Sequence, residues 1–303
     1  MSIETAIAMV VEPAPAKVNL YLHVTGRRPD GYHLLESLVA FAAVGDRIAA
    51  VAGPAGEIRL AVEGPFAAAI DGDPSCNLVL RAAHALRAAL GDPSLGAVLK
   101  LEKNLPVASG IGGGSADAAA TLRALMRLWG RVPAPAALAE CARALGADVP
   151  VCLAAHAAHM AGTGEIVTPL GASLPPLGIV LANPGVALST PEVFRGLDGR
   201  FGPAERIDPV PAGVTEFVTA LRGARNDLEA PAIALRPVIA DVVRELSACA
   251  GTLLVRMSGS GATCFALFAD PVAAEAAAAD LHARRPGWWI AGGGLFEPGE
   301  ARA

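Results

Sequence analysis

The chain has 303 residues, 53% of them hydrophobic and 17% charged, with a formal net charge of -5. That balance excludes a disordered chain, and with no Lys/Arg cluster there is no basic footprint for nucleic acid. No apolar run reaches the roughly 20 residues of a membrane span, and an N-terminus with Glu4 and no early basic residue does not read as a signal peptide.

Residues 16–24, AKVNLYLHV, alternate cleanly. Val18, Leu20, Leu22 and Val24 fall on one face and Lys17, Asn19, Tyr21 and His23 on the other, which predicts a strand with one face in a core. A turn, TGRRPDGYH, follows, with Asp30-Gly31 as its strongest signal. Short apolar runs come next at 34–41, 47–52 and 57–62. Residues 75–90 read as a helix with Ser75 as N-cap, 96–102 as a strand, and 115–129 and 135–145 as Ala/Leu-rich helices. The Gly/Pro-rich stretch 161–177 reads as a domain boundary. Beyond it come a strand at 178–182, helices at 213–222 and 231–249, and a strand at 252–257. A glycine turn (SGSGAT), the strand CFALF, a helix at 272–284 and a strand at 288–291 complete the chain. Strands and helices mix without a βαβ period or an internal repeat, so the expected class is α+β in two domains, 1–163 and 164–303.

Five scattered cysteines, odd in number and without a C-x-x-C pair, read as reduced thiols acting as small core residues. A reducing cytoplasm is the expected compartment. His156 and His159 lie three apart but have no second ligand pair, so they read as structural or surface residues. Among 24 basic residues only Lys17, Lys100 and Lys103 are lysine. In a chain so inclined to arginine, the retained lysines raise the question of which does chemistry that a guanidinium fork cannot; Lys100 reads as an exposed strand residue.

Ser109-Gly110-Ile111-Gly112-Gly113-Gly114-Ser115 stands immediately before a predicted helix. Glycines let the backbone bend and approach a ligand closely, and the first N–H groups of a helix lack partners and carry the positive end of its dipole. Together they make a phosphate cradle. Ser115 is placed to cap the helix or to offer its hydroxyl to a phosphate or a magnesium ion. No Lys follows the glycines, so this is not a Walker A loop. The loop starts mid-chain without an acidic residue at the right offset, so it is not a dinucleotide fingerprint either.

Three segments together resemble the GHMP kinase superfamily: Pro15-Ala16-Lys17-Val18-Asn19, the loop from Pro106 through Ser109 to Ala116, and Ser258-Gly259-Ser260-Gly261-Ala262. Within it, the segments PAKVNLYLHVTGRRPDGYHLLESLVAF, NLVLRAA, KNLPVASGIGGGSADAAATL, LGADVPVCL, NDLE and SGSGATCF are closest to the branch acting on 4-diphosphocytidyl-2-C-methyl-D-erythritol, in the non-mevalonate route to isoprenoid precursors. The resemblance implies a two-domain fold with the active site in the interdomain cleft. It implies transfer of a γ-phosphoryl group from ATP, with Mg2+, to the 2-hydroxyl of that small-molecule substrate. Lys17 and Asp148 take the family's catalytic positions. Asn19, Tyr32, His33, Thr190 and Phe194 match its substrate positions. Asn77, Lys103, Pro106, Ser109, Gly110, Gly112, Gly113, Gly114 and Ser115 match its ATP positions. Val39 stands where the family often carries an aromatic residue, and Ser258 and Ser260 where it often carries threonines. A monomer or homodimer acting without nucleic acid or membrane is expected.

Read as chemistry, Asp148 follows Gly146-Ala147 in an apolar stretch where a carboxylate needs a partner, and Lys17 is a candidate for it. A carboxylate there serves either to take or to orient the proton of the attacking alcohol, and a helix-end or turn role would also account for it. An exposed strand-face lysine would likewise account for Lys17. Tyr32 offers a ring to stack on a pyrimidine, and His33 an imidazole to read its edge. A homoserine- or mevalonate-type kinase, a nucleotide-binding regulator without catalysis, and a dehydrogenase are the competing readings.

Overall fold

The computed structural model describes residues 9–70 and 76–297. The chain folds as two compact units. Unit 1 holds residues up to Ala14, Gly45–Val107 and Gly113–Ala154; unit 2 holds Pro15–Val44, Ala108–Gly112 and Ala155 onward. The expected single cut between 163 and 164 is therefore not an edge of either unit.

The strand read at 16–24 is the centre of a longer one, β1 (Val10–Arg27). The runs at 34–41 and 47–52 are one unbroken strand, β2 (His33–Ala52), which gives its first part to unit 2 and its residues from Gly45 to unit 1. In unit 1 that later part pairs antiparallel with β4 (Ala97–Glu102), from Arg47↔Glu102 to Ala52↔Ala97. β4 in turn pairs in parallel with β3 (Ile58–Glu63). Helices α1 (Leu78–Ala89), α2 (Gly113–Trp129), α3 (Pro135–Leu145) and α4 (Val149–Ala154) pack on one another in the same unit. Asn77 caps α1, its side-chain oxygen accepting from Val79 N–H at 2.9 Å; Ser75, the expected cap, lies outside the described residues. The buried face of α2 is Ala116, Ala118, Ala119, Ala120, Leu122, Ala124 and Leu125. Small side chains let its neighbours approach closely, and the fully buried leucines each contribute about 1.5–3 kcal/mol.

In unit 2 the first part of β2 pairs with β1 and, antiparallel, with β5 (Ala158–Gly162), which pairs with β6 (Ile166–Pro169). This hairpin occupies the start of the stretch expected to be a domain boundary; its Gly and Pro residues punctuate strands. A second, antiparallel sheet has the order β10 (Trp289–Gly294), β7 (Gly178–Asn183), β9 (Cys264–Phe268), β8 (Leu254–Met257). Helices α5 (Thr190–Arg195), α6 (Val214–Gly223), α7 (Glu229–Leu235), α8 (Val238–Ser247) and α9 (Pro271–Arg284) complete the unit. The single helix expected at 231–249 is two, α7 and α8, because Pro237 disfavours helical geometry at Arg236. The core of this unit includes Leu22, Val24, Val180, Ile239, Val242 and Phe268. Among the described residues no helix is long and apolar enough to cross a membrane.

β1 departs from its sequence pattern in one respect. Its polar face is not solvated: Lys17, Asn19, Tyr21 and His23 are all buried, as are Val18, Leu20, Leu22 and Val24 opposite. Both faces of this strand are covered, so the polar groups it carries must be satisfied inside the protein.

Candidate active site

The glycine loop is fixed by backbone rather than by side chains. In unit 2, Gly110 has φ +78, and a Cβ there would lie 2.6 Å from the Ser258 carbonyl oxygen and 2.7 Å from that of Gly261. Gly259, with φ +55, faces the Gly110 carbonyl just as closely, at 2.7 Å. The two glycine turns thus pack main chain on main chain, which only glycine permits. The Ser258 hydroxyl donates to the Gly110 carbonyl at 3.1 Å, and Thr263 N–H donates to the Ser109 carbonyl at 3.1 Å. Asn226, from the NDLE segment, holds the second turn by donating from Nδ2 to the carbonyls of Met257 and Gly259, both at 2.8 Å. Ala108, at the loop entrance, has a left-handed φ of +51, a conformation non-glycine residues rarely adopt and one that clusters at functional sites.

Lys17 lies against this loop. Its N–H donates to the Ile111 carbonyl at 3.0 Å, and a Cβ on Gly112 would stand 3.2 Å from the Lys17 Cβ. The residue is 5% exposed, so the exposed strand-face reading does not hold. Asn19 donates from Nδ2 to the Ser37 hydroxyl at 2.8 Å and from its backbone N–H to the Ser258 Oγ at 3.1 Å. Its Oδ1 is buried without a hydrogen-bond partner among the described residues, an acceptor available to a ligand donor.

In unit 1, α2 starts at Gly113 rather than 115, so Gly113, Gly114 and Ser115 form its first turn. Ser115 is inside the helix and does not cap it; its hydroxyl is 3.9 Å from where a Cβ on Gly146 would sit, beside the turn that carries Asp148. The Asp148 carbonyl accepts a bond from Cys152 N–H in α4 at 3.1 Å, so the helix-end position is real, and the residue is half-buried. The first-turn N–H groups of α2 have no intrahelical partners, and with the dipole of a 17-residue helix behind them they fit the phosphates of ATP.

Lys103, expected on the ATP side, lies beside Gly113, where a Cβ would stand 3.2 Å from its Nζ, and is held in an ion cluster. Its ammonium is 2.5 Å from Asp46 Oδ2 and 2.6 Å from Asp117 Oδ2, and all three side chains are buried. Asp46 Oδ1 also accepts from the N–H groups of Asn104 (2.6 Å) and Leu105 (2.8 Å). The cluster therefore pins the segment leading to Pro106 onto α2. Burial alone would push the Lys103 ammonium down, but the attraction of Asp117 and Asp46 outweighs it and holds the pKa above the ordinary lysine value. Burial pushes Asp117 up to about 8, the Lys103 charge opposing and the Asp46 charge adding to it. The sequence signal for the cluster is Asp117 between alanines in the first turns of α2, where a carboxylate needs a partner.

The substrate-side residues of unit 2 come together in part. The Asp30-Gly31 turn forms as read, with Asp30 Oδ1 accepting from Tyr32 N–H at 3.2 Å and Gly31 at φ +93. Tyr32 is 66% exposed. His33 stacks on Phe194 with ring centroids 4.8 Å apart and planes at 24°. Burial, and then the Arg27 charge, hold the His33 pKa below its ordinary value, so the ring is neutral at physiological pH. The Thr190 hydroxyl is 2.7 Å from that of Ser260, joining α5 to the second glycine turn. Val39 is fully buried, paired with Ala158. His159 is buried, its Nδ1 3.4 Å from the Tyr21 hydroxyl, and His156 is exposed. Among the described residues no group of three or more His, Cys, Asp or Glu is placed to hold a metal ion.

Comparison with known proteins places this geometry. Residues 77–156 match the model of the GHMP kinases N terminal domain and residues 216–286 that of the GHMP kinases C terminal. A 4-diphosphocytidyl-2-C-methyl-D-erythritol kinase of Cereibacter sphaeroides is 56% identical, over 92% of this chain and 96% of the relative. The chain belongs to the GHMP kinases. One of Gluconacetobacter diazotrophicus with the same name as the first relative is 48% identical to this kinase, over 97% of its chain and 98% of the relative. The crystal structure of a 4-(cytidine 5'-diphospho)-2C-methyl-D-erythritol kinase is similar to it with a TM-score of 0.77 and 36% identity, over 95% of this chain and 99% of that one. The α+β class and the activity of an ATP-dependent small-molecule kinase follow from membership.

Proposed function

We propose that this kinase transfers the γ-phosphoryl group of ATP to the 2-hydroxyl of 4-diphosphocytidyl-2-C-methyl-D-erythritol, giving the 2-phosphate. The observation that carries the reading is the aromatic platform of His33 stacked on Phe194, with Tyr32 exposed next to it in the chain. A substrate without a nucleobase has no use for such a platform, whereas a pyrimidine stacks on aromatic rings and is read at its edge by a neutral imidazole with one donor and one acceptor. The names of the relatives support the same substrate.

Phosphoryl transfer asks mainly for positioning and charge neutralisation. Asp148 accepts or orients the proton of the attacking hydroxyl, and Lys17 offsets the charge that develops on the transferring group. Asn19 receives a substrate donor on Oδ1, and Thr190 lines the same substrate side. Gly110, Gly112, Gly113, Gly114 and Ser115 cradle the phosphates; Pro106 and Ser109 shape the approach, and Asn77 holds the start of α1 on the ATP side. Lys103 serves that side indirectly, by fixing the segment that leads into the loop. The Ser115 hydroxyl would hold Mg2+ together with the phosphates of ATP, and the ion would supply neutralisation of phosphate charge when bound. The division near residues 163–164 is kept as the boundary between the two family segments, and the cytoplasm as the compartment.

Steady-state turnover of ATP with the cytidine substrate tests the reading in wild type, Asp148→Asn and Lys17→Arg. Both variants lose about 100-fold or more in kcat, the size of a lost proton-transfer or charge-stabilising group. Near-wild-type rates overturn the mechanism, and phosphorylation of homoserine or mevalonate in place of the cytidine compound overturns the substrate.

A further inference from the structure

We propose that Phe201 is a positioning residue for His33, and that the segment from Phe201 to Pro209 is a strap that holds it there. The inference rests on the substrate reading above and deepens it by naming a side chain that sets how the base is read.

Two rings at different angles fix the plane of the His33 imidazole. Phe194 lies against its face, and Phe201 meets it edge-on, with centroids 5.9 Å apart and planes at 66°. A stacked partner alone leaves an imidazole free to rotate in its own plane and to slide; an edge-to-face partner removes those freedoms. Phe201 nevertheless keeps 39% of its surface exposed. It stands beside the residues proposed to take the base, where that exposed area is the part a ligand would cover.

The chain after Phe201 has no helix or strand of its own until α6, yet it is tied to β1 at successive points. Gly202 N–H donates to the Val24 carbonyl at 3.1 Å. Glu205 N–H donates to His23 Nδ1 at 3.3 Å. Arg225 reaches the Glu205 carboxylate at 3.4 Å and the Pro203 carbonyl at 3.5 Å, and is itself held by Asp227 at 2.6 Å. The tie from Glu205 reaches the ring of His23, which the alternation of β1 leaves facing outward and which is buried. A loop tethered to the strand that also carries Lys17 and Asn19 delivers the Phe201 ring to a defined place.

The test uses the whole enzyme. Phe201→Ala raises KM for the cytidine substrate about 3- to 10-fold, the size of one aromatic pair, with kcat and KM for ATP unchanged within about twofold. Phe201→Tyr, which keeps the ring, restores the wild-type KM; Phe201→Leu, which keeps only bulk, does not. In the absence of substrate, the ring-proton NMR shifts of His33 move in Phe201→Ala and stay in Phe201→Tyr, because the ring current of the neighbour is lost or kept. An unchanged KM in Phe201→Ala, an equal rise in both substrates' KM, or rescue by leucine overturns the positioning role while the substrate reading stands. A wild-type enzyme that ignores the cytidine compound overturns the substrate reading and this inference with it, whatever the NMR shifts show about packing.

Discussion

Removing the Lys103 ammonium separates a structural clamp from an ATP ligand. In Lys103→Met two buried carboxylates lose the charge that lies 2.5 and 2.6 Å from them. At an effective dielectric of about 20, each attraction is about 6 kcal/mol, and the cost of dehydrating the three charges offsets most of it. The substitution deletes the attraction and keeps the cost, so the expected destabilisation is about 3–5 kcal/mol. Urea unfolding at pH 8 reads it through the fluorescence of Trp129, whose indole N–H donates to the Gly96 carbonyl in the same unit. The midpoint falls by about 1 M or more, given slopes of about 1–3 kcal/mol/M. At pH 5 the loss is smaller, because one carboxylate takes up a proton and relieves the repulsion. An unchanged midpoint together with a raised KM for ATP would show that Lys103 binds nucleotide and that the clamp reasoning is wrong.

Asp117→Asn tests the same cluster by pH. Asp117 binds protons more tightly folded (about 8) than unfolded (3.8), so wild-type stability falls as pH rises between about 4 and 8, and melting temperatures of the variant lack that part of the slope. Gly110→Ala, with its left-handed φ and backbone oxygens inside 3 Å, loses about 2–4 kcal/mol by urea unfolding, whereas Gly91→Ala, equally left-handed but with open space around it, loses only about 1–2 kcal/mol. A similar loss at the two positions would remove the argument that the glycine turns pack through their backbones. Lys100→Arg changes stability by less than about 0.5 kcal/mol and leaves kcat unchanged, because the side chain is half exposed and makes a surface pair with Glu63 at 2.6 Å.

The parts legible in the sequence were those whose signal is local. The alternation of β1, the Asp30-Gly31 turn and the glycine run before α2 each dictate a conformation within a few residues. The stacking of His33 on Phe194, 161 residues apart in the numbering, was anticipated only as two substrate positions of a resembling family. What stayed hidden depends on partners far along the chain. Asp46 reads as an ordinary charge beside Gly45 until Lys103 and the amides of 104 and 105 come to it. A carboxylate in an apolar stretch needs a partner at Asp117 as much as at Asp148, because the buried helix face of Asp117 gives it no exit to water. The NDLE segment matched a family pattern without a physical reason. Asn226, Asp227 and Glu229 turn out to bond the second glycine turn, Val24 N–H and Met257 N–H, respectively. Pro237 is the local signal that divides the stretch 231–249, through its steric effect on Arg236.

The carboxylate of Asp46 also sets where an anion can be recognised. Asn104 and Leu105 spend their amides on it, and Pro106 has none. These three consecutive residues ahead of the glycine run therefore offer a phosphate no main-chain N–H. The first turn of α2 is heard more clearly for that silence. Moving the proline by one position, with every glycine kept, would add a competing voice at the wrong place.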